Sequence, residues 1–330
     1  MSDADFSDKV IHYSGFLDLL RKLARLNPDI VQGSEPYWFP KALRECFAAL
    51  VYTVFLRRKL FFPVLEIRNP KKNFGHVIGS GLIWLMRILA WKASFIIVLT
   101  DSSKKLLLEN GVSEGKIVRL PWSNAIGLDL SEFTPRRDGT EKDFGTPHVA
   151  LFVGNLIPIK GIEFLLEAFL EVKKSIPDSK LVMVGKGRLE GDIRLFAAKN
   201  DIASDLILVG QIKNNLVPSY FRSAQVTVLP SIELNRSAEQ IGWVNVQSLA
   251  CGTPVVTTHC GGIPEFVVQG INAFVVPQKD SRALAEAILK VFSDDNLRQR
   301  MSINAREFCQ ERYDVKRNVS IAEDFILKRL

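Results

Sequence analysis

The stretch Glu239-Gln-Ile-Gly-Trp-Val-Asn-Val-Gln247-Ser-Leu-Ala-Cys-Gly-Thr-Pro-Val-Val256 decides how this chain is read. A loop ends on a carboxylate, an apolar helix follows, Gly252 stops it, and Pro254-Val-Val-Thr257 opens a buried strand. Two polar side chains, Glu239 and Gln247, stand eight residues apart, a step of about 12 Å if it were helical throughout.

Outward from this block, short apolar runs alternate with helical stretches. Strands are predicted at 149–153, 180–184, 206–209, 226–229, 254–257 and 273–276. Between the first two, Gly161 to Lys174 places Ile162, Leu165, Leu166 and Phe169 on a 3.6-residue period. Such alternation indicates βαβ units and a parallel sheet covered on both faces. The first half repeats it less fully, with helices at 16–26, 38–55, 82–91 and 102–109 leading into strands at 29–32, 61–65, 95–99 and 117–120. Ser131 to Pro147, polar and rich in charge, reads as a linker, and the segment from Ser281 onward reads as helical.

Parallel sheets bind ligands at the carboxyl ends of their strands, so the loops there carry the candidates. After the first strand of the second half come Gly154-Asn155 and Lys160-Gly161, the lysine at a helix start where free N–H groups favour an anion. Gly185-Lys186-Gly187 with Gly191 imitates a dinucleotide loop but has the wrong spacing, and reads as a tight turn. Gly210-Gln211-Ile212, Pro230-Ser231, His259 and Gly261-Gly262-Ile263-Pro264-Glu265 complete the set. In the first half, Glu35-Pro36-Tyr37 and Glu66-Ile-Arg68-Asn69 follow strands.

These motifs resemble the retaining GT-B glycosyltransferases of the group 1, or family 4, class. The resemblance covers Val149 to about Val276 most fully and Asp29 to Pro135 less so, including Pro121-Trp122-Ser-Asn124. It implies two Rossmann-like parallel-sheet domains facing across a cleft. Residues 1–145 would form the acceptor-side domain, 146–310 the nucleotide-sugar domain, and 311–330 a last helix returning to brace the first. It also implies that Glu239 orients the donor sugar as a catalytic residue, with Lys160 neutralising the departing diphosphate. Asn155, Gln211, Ile212, Gly242, Trp243, Val244, Gln247, Gly261 and Gly262 would bind the donor, and Glu35, Tyr37, Arg68 and Asn69 would lie on the acceptor side. In the family, the eight-residue step reaches from the sugar to the ribose. Two positions depart from its pattern: Gln247 replaces a glutamate and Asn155 a common arginine. No metal or other cofactor is implied.

The beginning is short against this pattern. The opening strand and glycine loop of relatives are missing, and only Lys9-Val-Ile-His-Tyr13 offers a remnant strand. Either the start is misplaced, the domain is naturally truncated, or a protein partner completes it; an incomplete sheet would leave an open edge and an exposed apolar face.

Composition supports a globular chain of 330 residues, 47% apolar and 24% charged, with net charge +7. From Lys9 to Arg119, 18 Lys or Arg face 8 acids. That basic half suits an anionic membrane surface or a phosphorylated acceptor, and without a nucleic-acid motif no nucleic-acid partner is expected. The apolar run from Val77 to Thr100 contains Arg87 and Lys92 and reads as helix then strand rather than a membrane span. The acidic amino terminus is no signal peptide. Four scattered cysteines suit a reducing cytoplasm. The expected function is hexose transfer from a nucleoside-diphosphate sugar to a glycan or lipid-linked hydroxyl, in the cytoplasm or at the inner face of the membrane. The alternatives are a catalytically impaired GT-B paralogue serving as a partner subunit, and a nucleotide-sugar epimerase.

Overall fold

A computed structural model describes residues 10–120, 127–135, 139, 141–234 and 238–329. Pro121-Trp122-Ser-Asn124 lies outside these residues. The fold is α/β with two all-parallel sheets in two compact units, one ending at Leu120 and regaining the chain from Ile321, the other between them. The division falls earlier than the polar stretch at 131–147. Leu128 and Phe133 are already built into the second unit, where the Leu128 N–H donates to the Tyr313 carbonyl at 2.7 Å and Arg306 Nη1 to the Phe133 carbonyl at 2.6 Å.

In the first unit α1 (Phe16–Leu26) precedes the sheet, whose strands β1 (Ile30–Gln32), β2 (Lys59–Val64), β3 (Phe95–Val98) and β4 (Ile117–Val118) pair in sequence order. The connecting helices are α2 (Leu43–Phe55), α3 (Pro70–Phe74), α4 (His76–Lys92) and α5 (Asp101–Glu109). Alternation along β2 and β3 sends Leu60, Phe62, Ile96 and Val98 into one core with α2, α4 and α5, and Phe61, Phe95 and Ile97 to the opposite face. That opposite face is not left open. Ala322, Phe325 and Ile326 from the end of the last helix cover it, with the Phe325 ring edge-on to Phe95 at 5.2 Å. β1 forms one edge of the sheet, and Val10 to Tyr13 adds no strand to it.

The second unit has a six-stranded sheet in the order β10-β9-β8-β5-β6-β7. Its strands are β5 (Val149–Val153), β6 (Lys180–Val184), β7 (Leu206–Gly210), β8 (Val226–Leu229), β9 (Val255–Thr258) and β10 (Ala273–Val276). All five residues of β5 are buried, as a central parallel strand covered on both faces requires. Helices α6 (Ile162–Ser175), α7 (Glu190–Lys199) and α10 (Ser281–Ser293) close one core. The remaining helices are α8 (Val217–Arg222), α9 (Trp243–Ala250), α11 (Asp295–Arg312) and α12 (Val315–Leu327). The carboxyl-terminal segment is therefore helical with breaks at Asp294 and at Tyr313-Asp314. The strand order runs outward from β5 in both directions, so it reverses between β5 and β8, which is where ligands sit in open α/β sheets.

Candidate active site

Lys160 and Glu239 meet at this reversal. Lys160 ends a short 3-10 turn after β5, and Glu239 lies in the loop after β8. The Lys160 Nζ donates to Glu239 Oε1, and the Ser231 Oγ donates to the same oxygen at 3.2 Å. The two charged side chains are only 19% and 17% exposed, so the pair is screened less than one on an open surface. The loops are stitched by the Ile232 N–H on the Ile159 carbonyl at 2.9 Å, and the Thr258 hydroxyl donates to the Ser231 carbonyl. The position of Ser231 just after the end of β8 is the sequence signal that points to its place in this cluster.

α9 is held onto the sheet by buried hydrogen bonds. Ser248 Oγ donates to Thr227 Oγ1 at 2.8 Å, and Asn245 Nδ2 to Thr257 Oγ1 at 3.2 Å. Helix begins only at Trp243, so the step from Glu239 to Gln247 is helical in its second half alone. Gln247 is half-buried on this fixed helix. Trp243 packs edge-on to Tyr313 at 6.1 Å, and Val244 packs against the core. Among the described residues no side chain caps the amino ends of α6 or α9, the helix ends that favour an anion, and in α9 the Asn245 N–H already donates to the Gly242 carbonyl at 2.8 Å.

On the other side of β5 the structure brings Asn155, Gln211 and Ile212 into one cleft of ≈ 190 Å³, together with Lys186 and Asn214. Lys186 was read as part of a tight turn, and that turn exists. A Cβ on Gly185 would stand 1.9 Å from the Gly154 carbonyl oxygen, and the Leu156 N–H donates to the Lys186 carbonyl at 2.9 Å. The turn nevertheless leaves the lysine lining the cleft. Gly261 and Gly262 are already engaged: the Gly261 N–H donates to Glu233 Oε1 at 3.1 Å and the Gly262 N–H to the Glu239 carbonyl at 2.9 Å. They shape the loop beside the ion pair rather than offer free donors. His259 is exposed. All four cysteines are buried and free, and burial raises the Cys260 thiol to about 11.

The acceptor-side candidates take structural places in the first unit. Tyr37 is 2% exposed, and its hydroxyl accepts from Asn110 Nδ2 at 2.9 Å. Asn69 caps α3 by accepting from the Lys71 N–H at 2.9 Å. Arg68 forks onto Glu66 at 3.0 and 3.1 Å. Glu35 Oε2 accepts from the backbone N–H groups of Leu65 and Glu66, while its Oε1 is buried without a partner among the described residues. Burial dominates these bonds and lifts the Glu35 carboxyl from 4.5 to about 7.

Folding therefore takes up a proton at Glu35 between those two values. Its contribution is full below the unfolded value and is lost as pH rises through the folded one. Glu35→Gln is expected to raise unfolding free energy by about 1–3 kcal/mol at pH 8, with little gain near pH 4. Denaturant titrations across that range check this; a difference independent of pH would contradict it.

The profile of the family described as glycosyl transferases group 1 matches residues 137–308. An uncharacterised glycosyltransferase of Methanocaldococcus jannaschii is 30% identical over 51% of the chain and 44% of its own length. The alpha-D-kanosaminyltransferase of Streptomyces kanamyceticus is 23% identical, over 81% and 71%. A capsular polysaccharide biosynthesis glycosyltransferase of Staphylococcus aureus is 26% identical, over 70% and 61%. The chain thus spans about half to two thirds of these relatives' lengths. Among solved structures, Anabaena HepE in complex with UDP superposes with TM-score 0.76 at 18% identity, over 94% of this chain and 81% of that one. Sucrose-phosphate synthase from Thermosynechococcus elongatus gives 0.69 at 20%, over 95% and 76%. These likenesses fix the fold as GT-B.

Proposed function

The chain belongs to the group 1 glycosyl transferases, and from that premise we propose that it moves a hexose from a nucleoside-diphosphate sugar to an acceptor hydroxyl, with retention of configuration and without a metal ion. The observation that carries this reading is the Lys160–Glu239–Ser231 cluster at the sheet's reversal point. As the anomeric C–O bond breaks, the diphosphate leaves with growing negative charge. Lys160 and the uncapped amino ends of α6 and α9 supply positive charge there. Glu239, held by Lys160 and Ser231, accepts from the sugar hydroxyls. The cleft lined by Asn155, Lys186, Gln211 and Ile212 takes the nucleobase, and Gln247 takes the ribose. The acceptor is a glycan or lipid-linked sugar in polysaccharide assembly, a reading supported by the capsule-related relative. Free buried cysteines are in keeping with a cytoplasmic site of action.

A second reading, a catalytically impaired partner subunit, draws on Asn155 and Gln247 and on the Gly261 amide already held by Glu233. A thermal-shift screen of UDP-, GDP- and ADP-sugars separates the two. Stabilisation by one donor, lost in Lys160→Ala, supports transfer; no stabilisation by any donor leaves the partner reading. Gln247→Glu supplies a carboxylate that accepts from both ribose hydroxyls, whereas an amide accepts through its oxygen alone. It is expected to tighten nucleotide binding by about tenfold, on the order of 1.4 kcal/mol. Calorimetric titration with the selected nucleotide reads this, and an unchanged or weaker Kd would remove Gln247 from the ribose site.

A further inference from the structure

The outward face of α4 is apolar where a helix on a sheet ordinarily turns polar residues to water. Val77, Trp84 and Trp91 recur at intervals of seven, so they fall within about 40° of one another around the helix axis. They stand opposite the buried Leu82, Met86 and Leu89. Their exposures are 88%, 64% and 74%. The ridge they form is about 21 Å long. On α2, which shares the same core and hence the same side of the sheet, Phe47 and Val54 are also exposed, and Phe55 at its end is 80% exposed.

Charge on the helices around this ridge is mostly positive. α2, α3 and α4 carry Arg44, Lys71, Lys72, Arg87 and Lys92 against a single acid, Glu45. Lys71 and Lys72 are exposed on α3, which packs against the amino-terminal turns of α4: a Cβ on Gly79, on the flank of α4 turned away from Val77 and Trp84, would stand 2.5 Å from Lys71 Cα. Indoles have an apolar body and a polar N–H and concentrate at lipid–water interfaces, while exposed cations meet anionic headgroups. A second copy of the chain would bring the same cations to the same face and be repelled. No helix among the described residues is long and apolar enough to cross a membrane, so the contact runs along the surface.

We propose that α4, with α3 beside it, docks the protein on an anionic lipid bilayer, with Trp84 and Trp91 seated among the headgroups and Lys71 and Lys72 against lipid phosphates. The surface belongs to the first unit, whereas Lys160 and Glu239 belong to the second. It deepens the reading of a lipid-linked acceptor but can fail while sugar transfer stands.

The test is sedimentation of the full chain with phosphatidylcholine vesicles, with and without phosphatidylglycerol, followed by tryptophan emission and quenching by brominated lipid. Binding is expected only with phosphatidylglycerol, with a blue shift and weakening by salt. Trp84→Ser/Trp91→Ser should lower the partition coefficient at least about tenfold, and Lys71→Glu/Lys72→Glu by about 25-fold or more, at roughly fivefold for each of the two cations lost. Equal binding to both vesicles, no binding, or an unaltered tryptophan double variant would overturn the proposal. So would a dimer that disappears in that variant without any lipid binding, which would make the face a contact between copies. Should the tryptophan variant misfold, the lysine variant and lipid quenching of the unaltered chain still decide it. Nucleotide-sugar thermal shifts, read separately, report on the transfer reaction.

Discussion

Lys160→Ala is expected to lower turnover of the nucleotide-sugar donor by about 10²–10³-fold, the usual cost of removing one preorganised group that stabilises transition-state charge. Two contributions disappear together. The departing diphosphate loses a cation, and Glu239 is left with the Ser231 hydroxyl on Oε1. Because both side chains are less than one-fifth exposed, an orphaned carboxylate also costs stability, about 1–3 kcal/mol, less than for a fully buried pair. The two effects separate experimentally. Lys160→Ala/Glu239→Gln removes the orphaned charge and should recover most of the stability with none of the activity. Lys160→Arg keeps the cation and should retain more turnover than alanine. Glu239→Ala should lose a comparable factor through misplacement of the sugar. Release of nucleoside diphosphate from the donor is the readout, which needs no knowledge of the acceptor. Turnover unaffected by both Lys160→Ala and Glu239→Ala would sink the catalytic assignment.

That these two residues meet could be anticipated only in part from the sequence. β5, β6 and β8 are legible because strands buried on both faces spell continuous apolar runs, β10 spells one at the half-buried sheet edge, and the predicted bounds of all four coincide with the observed ones. The loops after those strands are then the expected place for chemistry. What periodicity does not encode is strand order. Lys160 and Glu239 are 79 residues apart, and they meet because β8 returns to pair with β5 on the side away from β6. The same order gathers Asn155, Lys186 and Gln211 into one cleft, and Lys186 was passed over because its flanking glycines satisfy a purely structural reading.

The first unit shows the converse limit. Tyr37 and Asn69 occupy motif-like positions after strands, but a polar residue there can face the core or cap a helix as readily as it faces a ligand. Burial decides between these roles, and burial is a property of the packed chain. The exposed apolar face expected of a shortened sheet is not found, for a related reason: a distant segment, here the end of α12, covers the face that Phe61 and Phe95 form.

Gly161→Ala is expected to destabilise the chain by about 3–5 kcal/mol, combining a left-handed backbone penalty with overpacking. Gly161 has φ +66, and a Cβ there would stand 1.9 Å from the Pro230 carbonyl oxygen. The obstacle is backbone, so no rotamer change relieves it. Either the turn after β5 or the loop after β8 must move, and the Ile232-to-Ile159 hydrogen bond spans that contact. The same displacement would separate Lys160 from Ser231 and Glu239. Turnover should therefore fall even at temperatures where the variant remains folded. Gly191→Ala is the matched control. It lies in the first turn of α7, nothing stands within 4 Å of its would-be Cβ, and its φ carries no left-handed strain. The added methyl should stabilise the helix by about 0.5–1 kcal/mol. Denaturant unfolding of both variants measures the contrast. A Gly161→Ala protein within about 1 kcal/mol of the unaltered chain would mean that the two loops are not locked together. The ion pair would then owe its geometry to the attraction of its own charges rather than to the backbone that presents them.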